Sequence, residues 1–513
     1  MKKNWIKSKW FSGLVFSLLF SGLCWFYNFD ETFFQSPQSI HIWRQTNSLS
    51  MTQMYYQHNV PFFQPEIHSQ ISDKGISGKT VGEFPIIYFG MAKIWQLLGK
   101  SEWSFRIIQL FMLFSGIFLL FRMLTPLTGN PVRAGFICML VFTSPVIIFY
   151  GPNFLPDGPA LAFIFIAWFW LYQYVQKQKY YSLWISATFF ALAISLKIII
   201  ATSFIAIGLW VILETVFIKP EKRVFNFRLK HYIPFIICLL LCASWYLYVK
   251  HYNDLHQGLY SYFAILPVWK MSKQQFDHVI ETVNLIFFKE YFSPALQFAT
   301  VAIWVFMLFQ IRKIKPFFGF LLIIMPISMF FILLLWFQVF DAHDYYMISQ
   351  IPVLVMVWAI FFHYLKAKRL WDHPVTYVLL FAVFAFLANN GSIRHKTRYT
   401  GWMNEGYKTK MEALTEIAPY FEQWNIKPDD KIISIPDNSL TASLYYMNRK
   451  GYTDFFSDFT LEEIFRKRIY QGARYLVIND TSILTQPVIQ KFTTNFVGQY
   501  RNVKVYDLKP GAQ

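Results

Sequence analysis

Apolar runs of about 20 residues, the length that crosses the hydrocarbon core of a bilayer, recur along most of this chain. Of its 513 residues, 55% are hydrophobic and only 15% are charged. A soluble protein of this length carries about a quarter charged residues. The pattern therefore predicts a polytopic α-helical membrane protein.

The apolar runs divide into eleven spans. They lie at 10–28, 105–124, 134–150, 158–176, 181–197, 198–218, 232–250, 293–311, 317–338, 345–365 and 374–390. The fifth and sixth spans are almost continuous, and we expect a tight turn around Lys197 to separate them. The first run has the basic start of a signal peptide, but it is long and aromatic and no small-residue cleavage site follows it, so we interpret it as an uncleaved span.

The distribution of basic residues predicts the orientation. Every second connection between spans is a short segment, and together with the N-terminal segment these contain 19 Lys and Arg. They contain only two acidic residues, Glu221 and Asp372. The positive-inside rule then places the N-terminus in the cytoplasm, and an odd number of spans places the C-terminus outside. The net charge of +18 therefore indicates membrane orientation rather than a nucleic-acid partner. All four cysteines fall inside apolar runs and form neither a disulfide framework nor a metal-ligand spacing.

Two long outer loops and a C-terminal segment stand apart from the spans. The loops run from 29 to 104 and from 251 to 292, and the second has the aromatic and polar composition of short helices that lie on a membrane surface. From residue 391 the composition becomes that of a soluble domain. Apolar strands at 430–437, 473–480 and "VKVYDL", with "LTASLYYMN" and "TLEEIFRKRIYQ" as helices, predict a small extracytoplasmic α/β domain. No Gly-rich nucleotide motif occurs in it.

Polar groups that could form a site concentrate at the span ends assigned to the outer face. They are His41, Arg44 and Gln45 in "HIWRQ", Glu83, Asp157, Lys197, and the His343, Asp344, Tyr345 and Tyr346 of "HDYY". Ionisable residues at such positions are costly and usually functional. Each also has a purely structural explanation: Trp43–Arg44 as an interfacial anchor, Glu83 or Asp157 as a helix start, Lys197 as a snorkelling residue, and "HDYY" as part of an aromatic belt. One shared polar cavity explains their common face better than five separate causes.

The chemistry of such a cavity suits a phosphorylated lipid. Arg44 offers a planar fork of donors and Lys197 a point charge, and both match an anionic phosphate. A nearby carboxylate could take a proton from an attacking hydroxyl or amine. The residues alone indicate a membrane enzyme or carrier that handles a phosphorylated lipid at the outer face.

The order of these motifs resembles the C-type (GT-C) integral-membrane glycosyltransferases, family 39. The similar branch contains the protein mannosyltransferases, the aminoarabinose transferases and bacterial members with an HxWRQ signature. The resemblance covers about residues 10 to 390 and rests on "GEFPIIYFGMAKIWQLLGKSEWSFRI", "SPVIIFYGPNFLPDGPALAF", "LAISLKI" and "HDYYMISQIPVLV". It implies a GT-C-like catalytic domain at 1–390, and the α/β domain at 391–513 lies outside the match.

The resemblance also implies the reaction and the roles of the residues. Such enzymes transfer a sugar, with inversion, from a polyprenyl-phosphate donor in the outer leaflet to an acceptor. Arg44, Lys197 and Arg106 would then lie near the lipid phosphate, and Asp157 and Glu83 near the sugar or acceptor. The family often has an Asp-Glu pair where this chain has "WRQTN", while Asp30–Glu31 occurs slightly earlier. We therefore rank Asp157 and Glu83 ahead of Asp30 and Glu31 as candidate catalytic acids.

These features predict a hexosyl or pentosyl transferase of a bacterial inner membrane that uses an undecaprenyl-phosphate sugar. Its partners would be that donor, membrane lipids, and a glycan, lipid or protein acceptor, with no nucleic acid. A lipid-linked-sugar flippase is the alternative, although no internal repeat of the kind common in transporters is visible. A sensor would leave the polar outer loops unexplained. The sequence indicates no definite cofactor and leaves a divalent metal open.

Overall fold

The computed structural model describes residues 9–71, 73, 75–257, 265–368, 373–455 and 457–509. Some of the sequence predictions fall on residues outside these ranges: most of the basic N-terminal segment, part of the loop at 366–373 and the middle of "DLHQGLYSYFAILPVWK".

The described chain is mostly helical, with one small sheet. The helices are α1 (Lys9–Phe26), α2 (Phe29–Thr32), α3 (Ile42–Gln57), α4 (Ile86–Leu98), α5 (Glu102–Thr128), α6 (Pro131–Phe142), α7 (Pro145–Tyr150), α8 (Asp157–Lys177), α9 (Tyr180–Leu196), α10 (Thr202–Phe217), α11 (Leu229–Leu255), α12 (Lys273–Thr282), α13 (Phe288–Tyr291), α14 (Pro294–Phe309), α15 (Pro316–Leu335), α16 (Ile351–Lys368), α17 (Pro374–Thr400), α18 (Ala418–Gln423), α19 (Ala442–Met447), α20 (Glu462–Tyr470) and α21 (Pro487–Gln490). The strands are β1 (Lys431–Ile435), β2 (Gly451–Tyr452), β3 (Ala473–Ile478), β4 (Phe496–Tyr500) and β5 (Val503–Asp507).

All eleven predicted spans coincide with apolar helices. Within the described ranges, eight helical segments are long and apolar enough to cross a membrane, and a ninth is added if Lys273–Tyr291 and Pro294–Phe309, bent by 86°, count as one broken span. The remaining two predicted spans correspond to shorter helices, the 17-residue α9 and the broken pair α6–α7. The break between α6 and α7 precedes Pro145, which cannot donate a backbone hydrogen bond to the preceding turn. The prediction of a polytopic helical membrane protein is confirmed.

The predicted break at Lys197 is present. Helix α9 ends at Leu196, Lys197 is extended with φ −152° and ψ 102°, and a 3-10 turn at Ile198–Ala201 leads into α10. The extended backbone at Lys197 therefore separates the two helical segments.

The chain forms two compact units, each assembled from several stretches. The membrane unit comprises Met1–Phe33, Ser104–Tyr246 and Ile265–His395. The loop–sheet unit comprises Phe34–Trp103, Leu247–Ala264 and Lys396–Gln513. Most of the first outer loop thus belongs to the same compact unit as the C-terminal segment. The predicted domain division near residue 390 stays a prediction.

The five-stranded sheet of the loop–sheet unit has the order β2-β1-β3-β5-β4. Strands β2, β1 and β3 are parallel, whereas β5 runs antiparallel to both β3 and β4. The predicted strands correspond to β1, β3 and β5, and the predicted helices to α19 and α20. Strand β2 was not predicted because two residues carry no periodic signal, and β4 because its apolar pattern is interrupted by Gly498.

The first outer loop extends this sheet at its β2 edge. Ser69 forms an isolated parallel bridge with Gly451, supported by backbone bonds from Gln70 N to Gly451 O (2.9 Å) and from Gly451 N to His68 O (3.1 Å). Covering an edge in this way satisfies backbone groups that would otherwise be open to pairing with another chain. Part of the loop thereby belongs structurally to the sheet.

Helix α3, which contains most of the "HIWRQTNSLSMTQMYYQ" segment, is buried in the loop–sheet unit although it is polar. Every residue from Arg44 to Tyr55 is buried. Its polar side chains bond within the same unit: Gln45 to the Gln38 carbonyl (2.8 Å), Thr46 to Thr441 (3.3 Å), Ser50 to His68 (2.8 Å) and Gln53 to Asn448. Hydrogen bonding rather than an apolar stripe holds this helix in place.

Candidate functional site

The membrane unit contains a buried ion pair between two of the predicted site residues. Lys197 Nζ lies 3.2 Å from Asp157 Oδ1, with side chains 10% and 0% exposed. Asp157 is the first residue of α8, where the positive end of the helix dipole favours a carboxylate. The break between α9 and the 3-10 turn supplies its partner.

Two tyrosines of the "HDYY" segment lie against the ammonium group of this pair. The Lys197 Nζ is 4.2 Å from the ring centroid of Tyr346 and 5.1 Å from that of Tyr345. The His343 ring stacks on both tyrosines, at centroid distances of 5.4 and 5.7 Å. Aromatic faces attract a cation and exclude water from it, so Lys197 is held between a carboxylate and two π systems.

A second buried carboxylate lies on the same segment. Asp344 is fully buried, and its Oδ1 accepts a hydrogen bond from the hydroxyl of Tyr150 at 2.7 Å. The Tyr150 ring also meets Tyr345 edge-on at 5.5 Å. Tyr150, the last residue of α7, therefore links Asp344 to the ring that covers Lys197.

Arg106 is buried in contacts within the membrane unit. Its Nε donates to Asn153 Oδ1 (2.8 Å) and its Nη1 to the Phe33 carbonyl (2.7 Å), while the guanidinium lies 4.6 Å from the ring centroid of Phe154. These contacts attach α5 to the loop that precedes Asp157. They place Arg106 beside the site segment, and its role as a phosphate contact stays a prediction.

The loop–sheet unit contains a separate cation–carboxylate pair. Arg44 Nη2 contacts Glu83 Oε1, and Arg44 Nη1 lies 3.4 Å from Ser48 Oγ. Ser48 in turn lies 3.3 Å from the Tyr88 hydroxyl. Arg44 is 3% exposed, so it is not the snorkelling anchor considered from the sequence. His41 precedes α3 with φ 58°, in the left-handed region.

The helix-start explanation fits the geometry of one of the two acids. Asp157 lies in the first turn of α8, whereas Glu83 lies before Pro85 and Ile86, outside the first turn of α4. Both acids also pair with cations. Asp30 and Glu31 lie on the short helix α2 and are exposed, unlike the buried Asp157.

The sequence reasoning missed several polar residues beside these clusters. Tyr150 and the buried Glu290, which lies 3.7 Å from Arg394, belong to the membrane unit, and Ser48 belongs to the loop–sheet unit. Ser48 could have been found from its i,i+4 spacing to Arg44. Glu290 had no such local signal, because it lies in the second outer loop beyond a π-helical turn.

Metal-binding geometry is absent from the part of the chain that the structure describes: no group of three His, Cys, Asp or Glu side chains there could hold an ion. The four cysteines are free and lie in the apolar helices α1, α6 and α11. The polar clusters therefore offer charge and hydrogen bonds rather than a set of metal ligands.

Many apolar spans define this chain as a multi-span membrane protein. Its fold is similar to that of solved membrane glycosyltransferases of the GT-C class. Residues 83–248 match the family model described as dolichyl-phosphate-mannose-protein mannosyltransferase. The predicted fold class and the resemblance to GT-C glycosyltransferases are confirmed, while the bacterial branch with the HxWRQ signature stays a prediction.

Solved structures with the same fold cover almost the whole chain. ArnT from Cupriavidus metallidurans bound to undecaprenyl phosphate matches with TM-score 0.57 and 10% identity, over 97% of this chain and 98% of that one. The archaeal oligosaccharyltransferase AglB from Archaeoglobus fulgidus, in complex with an inhibitory peptide and a dolichol-phosphate, matches with TM-score 0.52 and 12% identity, over 96% and 73%. The mycobacterial arabinofuranosyltransferase AftD matches with TM-score 0.55 and 12% identity, over 97% of this chain and 40% of AftD. A comparison with curated protein sequences finds no match.

Proposed function

We propose that this protein is a glycosyltransferase that moves a sugar from a polyprenyl-phosphate donor to an acceptor at the outer face of a bacterial inner membrane. The observation that carries the proposal is the buried Lys197–Asp157 pair beneath Tyr345 and Tyr346, at the ends of spans in a GT-C fold. A structural neighbour matched over 97% of this chain was solved with undecaprenyl phosphate, which supports a lipid phosphate as the ligand.

Lys197 would act on the leaving group. In the transfer, an acceptor oxygen or nitrogen attacks the anomeric carbon while the bond from that carbon to the phosphate oxygen breaks. The electron pair of this bond leaves with the polyprenyl phosphate, and a fixed ammonium in a water-poor environment stabilises the charge that develops there. Attack from the face opposite the phosphate inverts the anomeric carbon.

Asp157 would receive the proton from the acceptor. A carboxylate in contact with an ammonium is a weak base, because the cation favours its charged form. When the donor phosphate binds Lys197, the ammonium interacts with the phosphate as well as with Asp157, and so it stabilises the charged form of Asp157 less. Donor binding therefore makes Asp157 a better base at the moment when a base is needed. For the loop–sheet unit, the family resemblance implies that Arg44 would lie near a lipid phosphate and Glu83 near a sugar or acceptor.

The binding half of the proposal can be tested with undecaprenyl phosphate itself. The purified full-length protein in nanodiscs should unfold at a higher temperature when this lipid is added, and Lys197→Gln should lose most of the shift. Lys250→Gln is the matched control, because Lys250 is 69% exposed and pairs with Asp254 on its own helix. An equal shift in wild type and Lys197→Gln would contradict the assignment of Lys197 to the phosphate.

The catalytic half requires glycan analysis. Replacing Asp157 or Glu83 with Ala should abolish glycan transfer, measured per amount of folded protein, in membranes supplied with a polyprenyl-phosphate sugar. Mass spectrometry of surface glycans and lipids in cells with and without the protein then distinguishes enzyme from carrier. An unchanged glycan profile together with lipid-linked sugar accumulating on the cytoplasmic side would favour a flippase. Full activity of both Ala variants would refute the site.

A further inference from the structure

Three polar side chains beside the Lys197 site are buried without hydrogen-bond partners in the described structure. They are Thr202, Ser349 and Gln350, which are 1%, 1% and 4% exposed. The hydroxyls of Thr202 and Ser349 and both amide atoms of Gln350 lack partners among the described residues. Burying an amide or hydroxyl without a hydrogen bond costs about 1–3 kcal/mol in proteins, and buried polar groups in native structures are normally satisfied.

These three residues lie on the two segments that form the Lys197 site. Thr202 follows the 3-10 turn Ile198–Ala201, which begins directly after Lys197. Ser349 and Gln350 end a second 3-10 helix, Asp344–Gln350, which contains Tyr345 and Tyr346. The two 3-10 segments pack against each other. The unsatisfied groups therefore concentrate at one place in the membrane unit.

The 3-10 geometry relates these groups to the residues that hold Lys197. Side chains three apart on a 3-10 helix lie on the same face, at a rise of about 2 Å per residue. Ser349 is accordingly on the face of Tyr346, about 6 Å further along the axis. Gln350 is on the face of Asp344. A ligand whose phosphate meets Lys197 above Tyr346 would extend along this face to Ser349, and Gln350 is the next residue of the same 3-10 helix.

The hydrogen-bonding capacity of the cluster identifies the chemistry of that group. The Gln350 amide donates through Nε2 and accepts through Oε1, and each hydroxyl does both. A phosphate has only acceptor oxygens at its ionised face, so it would leave Gln350 Oε1 unsatisfied. Sugar hydroxyls both donate and accept and would satisfy every group. The three residues are neutral, which suits a neutral ligand.

We propose that Thr202, Ser349 and Gln350 form the subsite for the sugar hydroxyls of the lipid-linked donor, with Gln350 as its main specificity-determining residue. This inference rests on the proposed function, since it takes the donor phosphate to bind at Lys197. The subsite explains why polar groups at this depth are kept despite their cost: the donor supplies the missing partners. A site built to bond a substrate hydroxyl discriminates strongly against ligands that lack it.

The first test compares the stability of two glutamine variants without any ligand. Gln350→Met replaces the amide with an apolar side chain of similar length, so it should raise the unfolding temperature of the full-length protein in nanodiscs. Gln297→Met is the matched control in the same unit: its Nε2 donates to the Phe288 and Phe292 carbonyls at 2.6 and 2.9 Å, so the variant should unfold at a lower temperature. A lower unfolding temperature for Gln350→Met would mean that the amide already has a structural partner, and would overturn the proposal.

The second test separates the sugar from the phosphate. Undecaprenyl phosphate alone should stabilise wild type and Gln350→Met equally. The same lipid carrying arabinose, mannose or glucose should add a further shift in wild type for at least one sugar, and Gln350→Met should lose that addition. For that sugar the variant should also lose at least about tenfold in kcat/KM.

The remaining outcomes of this second test are decisive as well. If Gln350→Met loses the shift from undecaprenyl phosphate alone, Gln350 binds phosphate and the sugar assignment is wrong. If no sugar adds to the shift in wild type, the sugar assignment is likewise wrong, while the donor class remains supported. If undecaprenyl phosphate itself has no effect on wild type, it is the proposed function that fails.

Discussion

The ammonium group of Lys197 lies 3.2 Å from a carboxylate oxygen of Asp157, and both side chains are almost fully buried. The two residues are 40 positions apart in the chain and belong to different helical segments. Breaking a buried pair by removing one partner leaves an uncompensated charge in a low-dielectric environment. A double-mutant cycle can therefore measure the coupling free energy between the two charges.

We expect Asp157→Asn and Lys197→Met each to destabilise the protein by ~3–5 kcal/mol, and the double variant to recover most of this loss. The measurement is the unfolding free energy, or the unfolding temperature, of the three variants in one detergent. Asp254→Asn is the control, because its exposed partnership with Lys250 should be worth under about 1 kcal/mol. Additive losses in the double variant would contradict a direct coupling.

Glu214 at the end of α10 should stabilise the loop that follows it. Its carboxylate accepts hydrogen bonds from the backbone N–H groups of Val224, Phe225 and Asn226 at 2.8–3.0 Å, and from Trp210 Nε1 at 2.9 Å. Glu214→Gln replaces one acceptor oxygen with a donor that faces other donors. We expect a loss of ~1–3 kcal/mol and faster proteolysis of this loop.

Glu221→Gln is the natural comparison for that variant. Glu221 lies in the same loop region and is exposed, so its replacement should leave both the stability and the proteolysis rate unchanged. If Glu214→Gln behaved like Glu221→Gln, the hydrogen bonds to the loop backbone would contribute nothing measurable.

Gly116 should be irreplaceable in the packing of α5 against α8. A Cβ added there would lie 2.5 Å from the Cα of Ala162 and 2.7 Å from its carbonyl oxygen. Small residues allow such close approach of helices in membranes. Gly116→Ala should therefore separate the two helices and destabilise the protein by about 1–3 kcal/mol.

The contrasting glycine is Gly208 on α10. Nothing lies within 4 Å of the Cβ that Gly208→Ala would introduce, so this variant should be neutral or slightly stabilising. Unfolding temperatures and expression levels of the two alanine variants provide the comparison. Equal behaviour would show that α5 and α8 can adjust without cost.

Asp454 should make the stability of the loop–sheet unit depend on pH. Burial, followed by the nearby Asp437 carboxylate, raises the pKa of Asp454 from 3.8 to about 7. The folded protein thus holds this proton more tightly than the unfolded chain does. The resulting stabilisation is complete below the unfolded pKa and is lost as the pH rises through about 7.

Asp454→Asn should therefore be more stable than wild type at pH 8, by ~2–4 kcal/mol at most, because the amide mimics the protonated acid. The unfolding temperature of wild type should fall between pH 6 and pH 8, and that of the variant should change less. Asp458→Asn is the control: hydrogen bonds from Thr460 lower the pKa of this exposed acid, so it stays ionised over the whole range. The same slope in wild type and Asp454→Asn would assign the pH dependence to another group.

Local sequence patterns were sufficient for the elements of the fold. Hydropathy placed the helices of all eleven predicted spans, and short runs of Ile and Val placed β1 and β3, because both signals arise within 5 to 20 neighbouring residues. The break at Lys197 was also predictable, since a lysine within a long apolar run is costly. The same reasoning did not predict the lengths of the helices. The helices α6, α7 and α9 are shorter than their apolar runs, because Pro145 interrupts one run and Lys197 ends the other helix.

Long-range pairing was decided only by the tertiary structure. No local pattern shows that Asp157 meets Lys197, that Arg44 meets Glu83, or that Tyr150 bonds Asp344, because these contacts join distant segments. The polar helix α3 is the clearest case. Its sequence has no apolar stripe, so periodicity could suggest only an interfacial or ligand-facing segment. In the structure, side chains such as Gln45, Ser50 and Gln53 bond to other parts of the loop–sheet unit. Hydropathy measures the free energy of transferring each side chain out of water. Only the fold determines which hydrogen-bond or ion-pair partner compensates a polar side chain for that cost.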